Sequence, residues 1–424
     1  MTFFNRLNFS RYVGVSNILM LSLLALSGCS QSSEQAEKNW ETTGVFSEEA
    51  EAFYLKRHND LVEAYSKGQF VATYDTEIRI GEDLVAKTLP RGEGRISSEG
   101  LARLTDYAAL QNSDSFIIYM DGKVVAETYS DTTTPDSLIN AKSLAKPLGV
   151  IAIGRAIKAG RIDGLDQPIS DFITEWKGTE KADIKIRNIL NMTSGLLPQD
   201  RAGGPEDILN RAYLHPHHDE VIIHEYPMPH KAGERYEYSN ANSELVAVVI
   251  SRATGMSYQA WLEKEVLAPL GAPGGLIWLN REGGVAHSGC CVKLTSETFL
   301  KLGVLILNKG QWDGKTFLPA SYISEMTTPT DKNAFAGMGV YNGRTYKEYR
   351  GAVNPEKERD FTAARHSEPY LDKEILLFDG NANQVVYILP SHSAVIMRLG
   401  PRPKAETQWD NAFLPNAFIR SVEN

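Results

Sequence analysis

The sequence predicts an α/β (α+β) protein in which strands from the two ends of the chain form one antiparallel sheet. Three observations carry this. Two β-rich runs flank Asp121-Gly122 near the start of the main body, and two apolar runs, 384–390 and 394–399, form a second hairpin near its end. The stretch between them is dominated by helical patterns. Strands at both ends with helices between give a sheet flanked by helices, plus a mainly helical subdomain.

The first 28 residues read as an address rather than as part of the fold. Arg6 and Arg11 supply a positive start, and 13–26 is mostly apolar and too short for a membrane span. The run ends Leu26-Ser27-Gly28-Cys29, small residues before a Cys, which resembles the bacterial lipobox. On that reading 1–28 is a lipoprotein signal peptide, Cys29 is lipidated, and the mature chain faces the periplasm, with Ser30 hinting at the outer membrane. Loss of Arg6 and Arg11 leaves 42 basic against 53 acidic residues, a net charge of −11. A lipid tether then holds an acidic body, and electrostatic adhesion to a membrane surface is not expected. No Lys/Arg-rich run is present, so no nucleic-acid partner is expected. Three Cys are too few for a disulfide scaffold.

Residues 29–95 read as tether and N-terminal extension: a Ser/Gln/Glu-rich stretch, a charged helical pattern over 47–64, then a polar, Gly-bearing segment over 77–95. The main domain is expected over 96–424. Ser97 or Ser98 N-caps a helix to about 110. The hairpin of 116–120 and 123–129 follows. Residues 143–159 are nearly all apolar and end at Gly160, which predicts a buried helix starting close to Ser143, because Pro147 is tolerated only in a first turn. Shorter helices are expected over 186–192, 242–253, 258–267 and 296–308, and a last amphipathic one over 409–420.

The chemistry-bearing residues fall in two short patterns. Ser143-Leu-Ala-Lys146 opens the buried helix. A Ser three residues before a Lys shares its helix face. A helix N-terminus favours a neutral Lys and a developing oxyanion, which suits a nucleophile with its base. A simple N-cap with an outward-snorkelling Lys fits the same letters. Tyr238-Ser-Asn240 precedes the helix at 242. Tyr serves as base or proton shuttle and Asn orients an amide or an ammonium; a packing Tyr and an N-capping Asn fit as well. By chance a chain of this composition holds roughly 1.6 matches to the first pattern and about one to the second.

Order and surroundings lift both above chance. Ser143-Leu-Ala-Lys146, then Ala159-Gly-Arg-Ile-Asp-Gly-Leu-Asp-Gln-Pro168, Ile186-Arg-Asn-Ile-Leu-Asn-Met-Thr-Ser-Gly-Leu196, Tyr238-Ser-Asn240, Ala268-Pro-Leu-Gly271 and Gln384-Val-Val-Tyr-Ile-Leu-Pro390 occur in succession over roughly 96–420. In this the chain resembles the serine β-lactamases and penicillin-recognising enzymes, and within them the class C β-lactamase-related hydrolases, including 6-aminohexanoate-dimer hydrolases and esterases. The resemblance implies a β-lactamase-like fold. It makes Ser143 the acylated nucleophile, Lys146 its activator, Tyr238 the general acid/base and Asn240 a group holding Lys146 or substrate. One oxyanion donor would be the Ser143 N–H, the other a group on the strand before Gln384. The family's third motif, K-T-G or H-x-G, is absent there; the chain reads Leu377-Phe-Asp-Gly-Asn-Ala-Asn-Gln384. Asp379 and Gly380 are therefore the substrate-binding candidates, Asp379 facing an amine, with a plain Asp-Gly turn as the alternative. His287-Ser-Gly289 has the H-x-G form but precedes a helix and reads as a loop.

No cofactor and no metal are expected. Five of the nine His lie between His215 and His230, without Cys ligands or a helical i, i+4 His pair. Cys290 and Cys291 form a vicinal disulfide or stay as thiols. The function expected is a serine hydrolase acting through an acyl-enzyme on a small amide, peptide or ester. A peptidoglycan-directed D-amino-acid peptidase or carboxypeptidase, a β-lactamase, and a non-catalytic binding protein that keeps the fold are the rivals.

Overall fold

A computed structural model describes residues 46–67, 75–351 and 363–423; the leader over 1–28 and Cys29 lie outside them. Ser47 accepts from Ala50 N and caps α1 (Glu48–Ser66). The segment expected to be merely polar begins with β1 (Glu77–Ile80), because Ile78 and Ile80 find partners elsewhere in the chain. Phe46–Asn424 forms a single compact unit. Among the described residues no helix is long and apolar enough to cross a membrane.

The sheet forms as the sequence predicts. Ser97 caps α2 (Ser98–Leu110), and β2 (Ser115–Met120) and β3 (Lys123–Tyr129) make the hairpin at Asp121-Gly122. At the other end, beyond the short pair β7 (Gln311–Trp312) and β8 (Lys315–Thr316) and the helix α10 (Ala320–Thr327), come β9 (Tyr341–Asn342), β12 (Leu376–Gly380), β13 (Gln384–Leu389) and β14 (Ala394–Leu399), while β10 (Tyr349–Arg350) and β11 (Ala364–Arg365) pair apart from this sheet. The order β3-β2-β14-β13-β12-β9 is antiparallel throughout, with Ile118 opposite Ile396 and Met397 opposite Val386. Every residue of β2, β13 and β14 is buried, which is why these strands read as continuous apolar runs. Phe116, Ile118, Tyr387 and Ile396 face α2 and the last helix, α11 (Phe413–Ser421). Ile117, Val386, Val395 and Met397 face the other way, onto the α9 helix (Ser296–Leu307). Gly303 lets that helix come close: a Cβ there would lie 2.8 Å from Val386 Cγ1.

On that second face lies the helical part. Its centre is α3 (Lys146–Lys158) against α7 (Asn240–Thr254), with α4 (Ile186–Leu190), α5 (Ile208–Leu214), α6 (His218–His224) and α8 (Tyr258–Leu262) around them. The segment after α8 runs on as a π-turn (Glu263–Leu267). A smaller antiparallel sheet joins β1, β5 (Gly275–Trp278), β6 (Val292–Thr295) and β4 (Leu138–Asn140).

Two boundaries differ from expectation in ways that matter. Ser143 is not on the α-helix: it sits on a 3₁₀ turn (Lys142–Ala145), and α3 begins at Lys146 with Pro147 in its first turn. Pro147 lacks an N–H, so regular α-bonding cannot start earlier than the turn it occupies. And α7 begins at Asn240, two residues sooner than the apolar pattern suggests, with Ser239 at the cap position.

Candidate active site

Ser143 is presented by a strained lead-in. Lys142, just before it, has φ +55°, and the Asn140 side chain accepts from its N–H at 3.0 Å. Leu144 is fully buried, so the turn is anchored by its apolar side while Ser143 stays at the surface of a cleft. One 3₁₀ turn on, Lys146 donates to Ser143 Oγ at 3.0 Å, to Asn240 Oδ1 at 3.0 Å and to the carbonyl oxygen of Gly289 at 2.8 Å. Three acceptors match the three N–H bonds of an ammonium. The geometry therefore suits a charged Lys146, where the helix-terminus argument favoured a neutral one.

Tyr238 reaches the same serine from the loop before α7. Its hydroxyl donates to Ser143 Oγ at 3.0 Å, and its ring centroid is 5.0 Å from Lys146 Nζ. The loop is held by the backbone: Gln199 N donates to Tyr238 O at 2.7 Å, and Glu237 N donates to Met192 O at 2.9 Å. Asn240 is the first helical residue and not a cap. Its Oδ1 takes Lys146, and its Nδ2 donates to Gln199 Oε1 at 2.9 Å, which fixes the amide orientation.

The cleft is narrow and is lined by Ser143, Lys146, Tyr238, Asp379, Met192, Tyr236 and Tyr341, among others. Asp379 and Gly380 are the last two residues of β12; the turn is Asn381–Asn383, so the plain-turn alternative does not hold. Gly380 marks a close approach: a Cβ would stand 2.8 Å from Ala141 O and 3.1 Å from Leu144 N. The end of β12 thus abuts the turn that carries Ser143. Gln384 Nε2 donates to Asn140 O at 3.0 Å and ties the hairpin to the same turn. Buried Arg398 grips the hairpin tip through Ala382 O at 2.8 Å while also holding Gln111 O and Asn112 O. Burial pushes the Asp379 carboxyl up to about 6, opposed only in part by the Arg350 guanidinium.

Gly289 and Gln199 were not legible as site residues. Gly289 acts through a backbone carbonyl, which no side-chain pattern announces, although it ends the His287-Ser-Gly289 triplet. The loop reading of that triplet therefore gains a function. Cys290 and Cys291, next in the chain, are joined as a vicinal disulfide. The histidine-rich segment over 199–230 carries α5 and α6.

Comparison with known proteins bears on the family and the fold. The beta-lactamase family model matches residues 108–399. A 6-aminohexanoate-dimer hydrolase of Paenarthrobacter ureafaciens is 23% identical over 62% of this chain and 71% of its own length. Among solved structures, a class C beta-lactamase shares the fold with TM-score 0.54 at 15% identity, over 76% of this chain and 97% of its own. A hydrolase with promiscuous acyltransferase activity does so with TM-score 0.57 at 14% identity, over 77% and 98%.

Proposed function

This chain belongs to the beta-lactamase family, and we propose that it is a serine hydrolase that cleaves a small amide, peptide or ester through an acyl-enzyme on Ser143. The observation that carries the reading is the double contact on Ser143 Oγ: Lys146 Nζ and Tyr238 OH, each at 3.0 Å. A nucleophile needs a proton acceptor and a charge that stabilises its alkoxide. Once the Tyr238 phenol has lost its own proton to solvent, its oxygen takes the Ser143 proton along the contact between the two oxygens, as Lys146 lends positive charge to both. Oγ then bonds the substrate carbonyl carbon, and the carbonyl oxygen turns towards the Ser143 N–H and the end of β12. Collapse breaks the bond to the leaving amine or alcohol, which takes the proton back from Tyr238. Water repeats the sequence on the ester, with Tyr238 again taking and returning a proton, and frees Ser143.

Asp379 gives the substrate a sign. An anionic group on the cleft wall favours a substrate carrying an ammonium, and it repels the carboxylate of a penicillin. The arthrobacterial relative is named for the hydrolysis of an amino-acid dimer, which supports an amine-bearing amide. Export and anchoring through Cys29 belong to the same proposal. They rest on the order of positive start, apolar run, small residues and Cys.

The test is intact-mass spectrometry of the full chain after a fluorophosphonate and, separately, a penicillin, with Ser143→Ala as control. A stoichiometric fluorophosphonate adduct absent from the variant is expected. No adduct on folded wild-type protein overturns the hydrolase reading in favour of a binding protein. A stable penicillin adduct overturns the substrate assignment alone.

A further inference from the structure

Behind Gly289, away from the cleft, three side chains from three elements meet in the interior: His218 at the start of α6, Glu244 on α7 and His287 on the loop before β6. Their exposures are 0%, 3% and 0%. The Glu244 carboxylate oxygen Oε2 lies 3.5 Å from His218 Nε2 and 3.5 Å from His287 Nδ1. One ligand atom from each residue falls within 4.8 Å of the others. Among the described residues, no hydrogen-bond partner exists for either nitrogen of His218, for either nitrogen of His287, or for Glu244 Oε2. Glu244 Oε2, His218 Nε2 and His287 Nδ1 thus have only one another, at separations too long for a good hydrogen bond, where buried polar groups are almost always closely paired.

We propose that His218, Glu244 and His287 form a structural binding site for a divalent transition-metal cation, zinc first. Two imidazoles and a carboxylate are the ligand types zinc takes, at about 2.0–2.2 Å each, which sets tetrahedral ligand atoms roughly 3.4 Å apart. The two histidine–carboxylate separations already have that value. A cation also answers the charge problem: a buried carboxylate needs a positive partner, and among the described residues the only basic groups within ion-pair distance of Glu244 are the two imidazoles themselves. Arg57 is near but spoken for, bound to both oxygens of Asp75 at 2.9 and 2.7 Å and lying on the Trp278 ring. Trp278 in turn stacks on His287 at 3.9 Å, and His287 on His218 at 4.1 Å. The stack keeps both rings beside the carboxylate, and binding an ion requires one ring to turn out of the stack so that both nitrogens face it.

The location gives the site a consequence. Glu244 lies one turn along α7 from Asn240, which holds Lys146. A Cβ on Gly289 would stand 2.7 Å from Glu244 Oε1, so the carboxylate packs directly on the residue whose carbonyl also holds Lys146. Ser288 Oγ donates to Ser243 O at 2.6 Å and keeps this segment on the helix. A metal here pins the 287–289 segment to α6 and α7, and so fixes two of the three acceptors around Lys146. These ligands are scattered over 70 residues and share no local spacing, so a metal site among the histidines, not expected from the sequence, emerges only in the folded chain.

The experiment uses the full chain purified without a polyhistidine tag or chelator, incubated with zinc and desalted. Elemental analysis by mass spectrometry is expected to find one zinc per chain, removed by dipicolinate with a fall in melting temperature. Cobalt(II) added to the stripped protein is expected to give visible d–d absorption, abolished in His218→Gln. If that variant does not fold, the wild-type zinc content and cobalt spectrum decide alone. Less than a tenth of an equivalent of zinc after incubation, with no cobalt absorption and an unchanged melting temperature, overturns the proposal. These readouts are independent of catalysis, so failure of the hydrolase reading leaves them interpretable.

Discussion

The carbonyl oxygen of Gly289 accepts from Lys146 Nζ at 2.8 Å, across 143 residues of chain. With Asn240 Oδ1 and Ser143 Oγ it completes a three-acceptor cage that holds the amine in one position. The lysine is 7% exposed, so its charge acts on Ser143 and Tyr238 with little screening by water.

Tyr238→Phe keeps the ring and removes only the hydroxyl that meets Ser143. It should lower kcat/KM by roughly 10²–10⁴-fold, the range for loss of a general acid/base, with little change in melting temperature. Steady-state kinetics on an aryl ester checks it. A variant within twofold of wild type would remove Tyr238 from the proton path.

Asn240→Ala takes one acceptor from Lys146 and leaves Gln199 Oε1 without its donor. A buried polar group left unpaired costs about 1–3 kcal/mol, so both stability and kcat should fall. Gln199→Ala touches the lysine only through Asn240 and should show a smaller loss in kcat. Chemical denaturation and kinetics on the two variants test the ranking.

Gly380→Ala drives a methyl to 2.8 Å from Ala141 O and 3.1 Å from Leu144 N. Backbone cannot yield as a flexible side chain does, so β12 must move off the Ser143 turn. Overpacking of this kind costs about 1–3 kcal/mol. The signature expected is a drop in kcat well beyond what the stability change explains, since the oxyanion donors separate. A fluorophosphonate labelling rate equal to wild type would contradict it.

Asp379 sets a pH dependence. Burial raises its carboxyl from an ordinary value near 3.8 to about 6 in the folded protein. The folded state then binds the proton more tightly than the unfolded chain between about pH 4 and 6. Stability from this group is therefore greatest below pH 4, falls as pH rises through 6, and stays low above. Asp379→Asn should melt higher than wild type at pH 7.5, with the gap closing by pH 4. The same variant should lose selectivity for ammonium-bearing substrates over neutral ones, the usual exchange of function for stability at a binding site. Thermal melts across pH 4–8 and a paired substrate assay read both effects.

The sequence alone determined the elements whose physics is local. The 116–129 hairpin, the capped helix from Ser98, the strands 384–389 and 394–399 and the buried helix after Ser143 follow from apolar periodicity, turn residues and caps. Ser143, Lys146, Tyr238 and Asn240 were legible because two short patterns stood in a recognisable order. Only the tertiary structure decided what joins distant segments. It put Ser143 on a 3₁₀ turn, because Pro147 delays the helix. It put Asp379 and Gly380 at a strand end against that turn, because β12 pairs with β13 before the chain turns. It brought in the Gly289 carbonyl and the Gln199 amide, whose roles depend on position in space and carry no residue signature. It also gathered His218, Glu244 and His287 in the interior, since burial and shared neighbours are properties of packing that spacing along the chain does not encode.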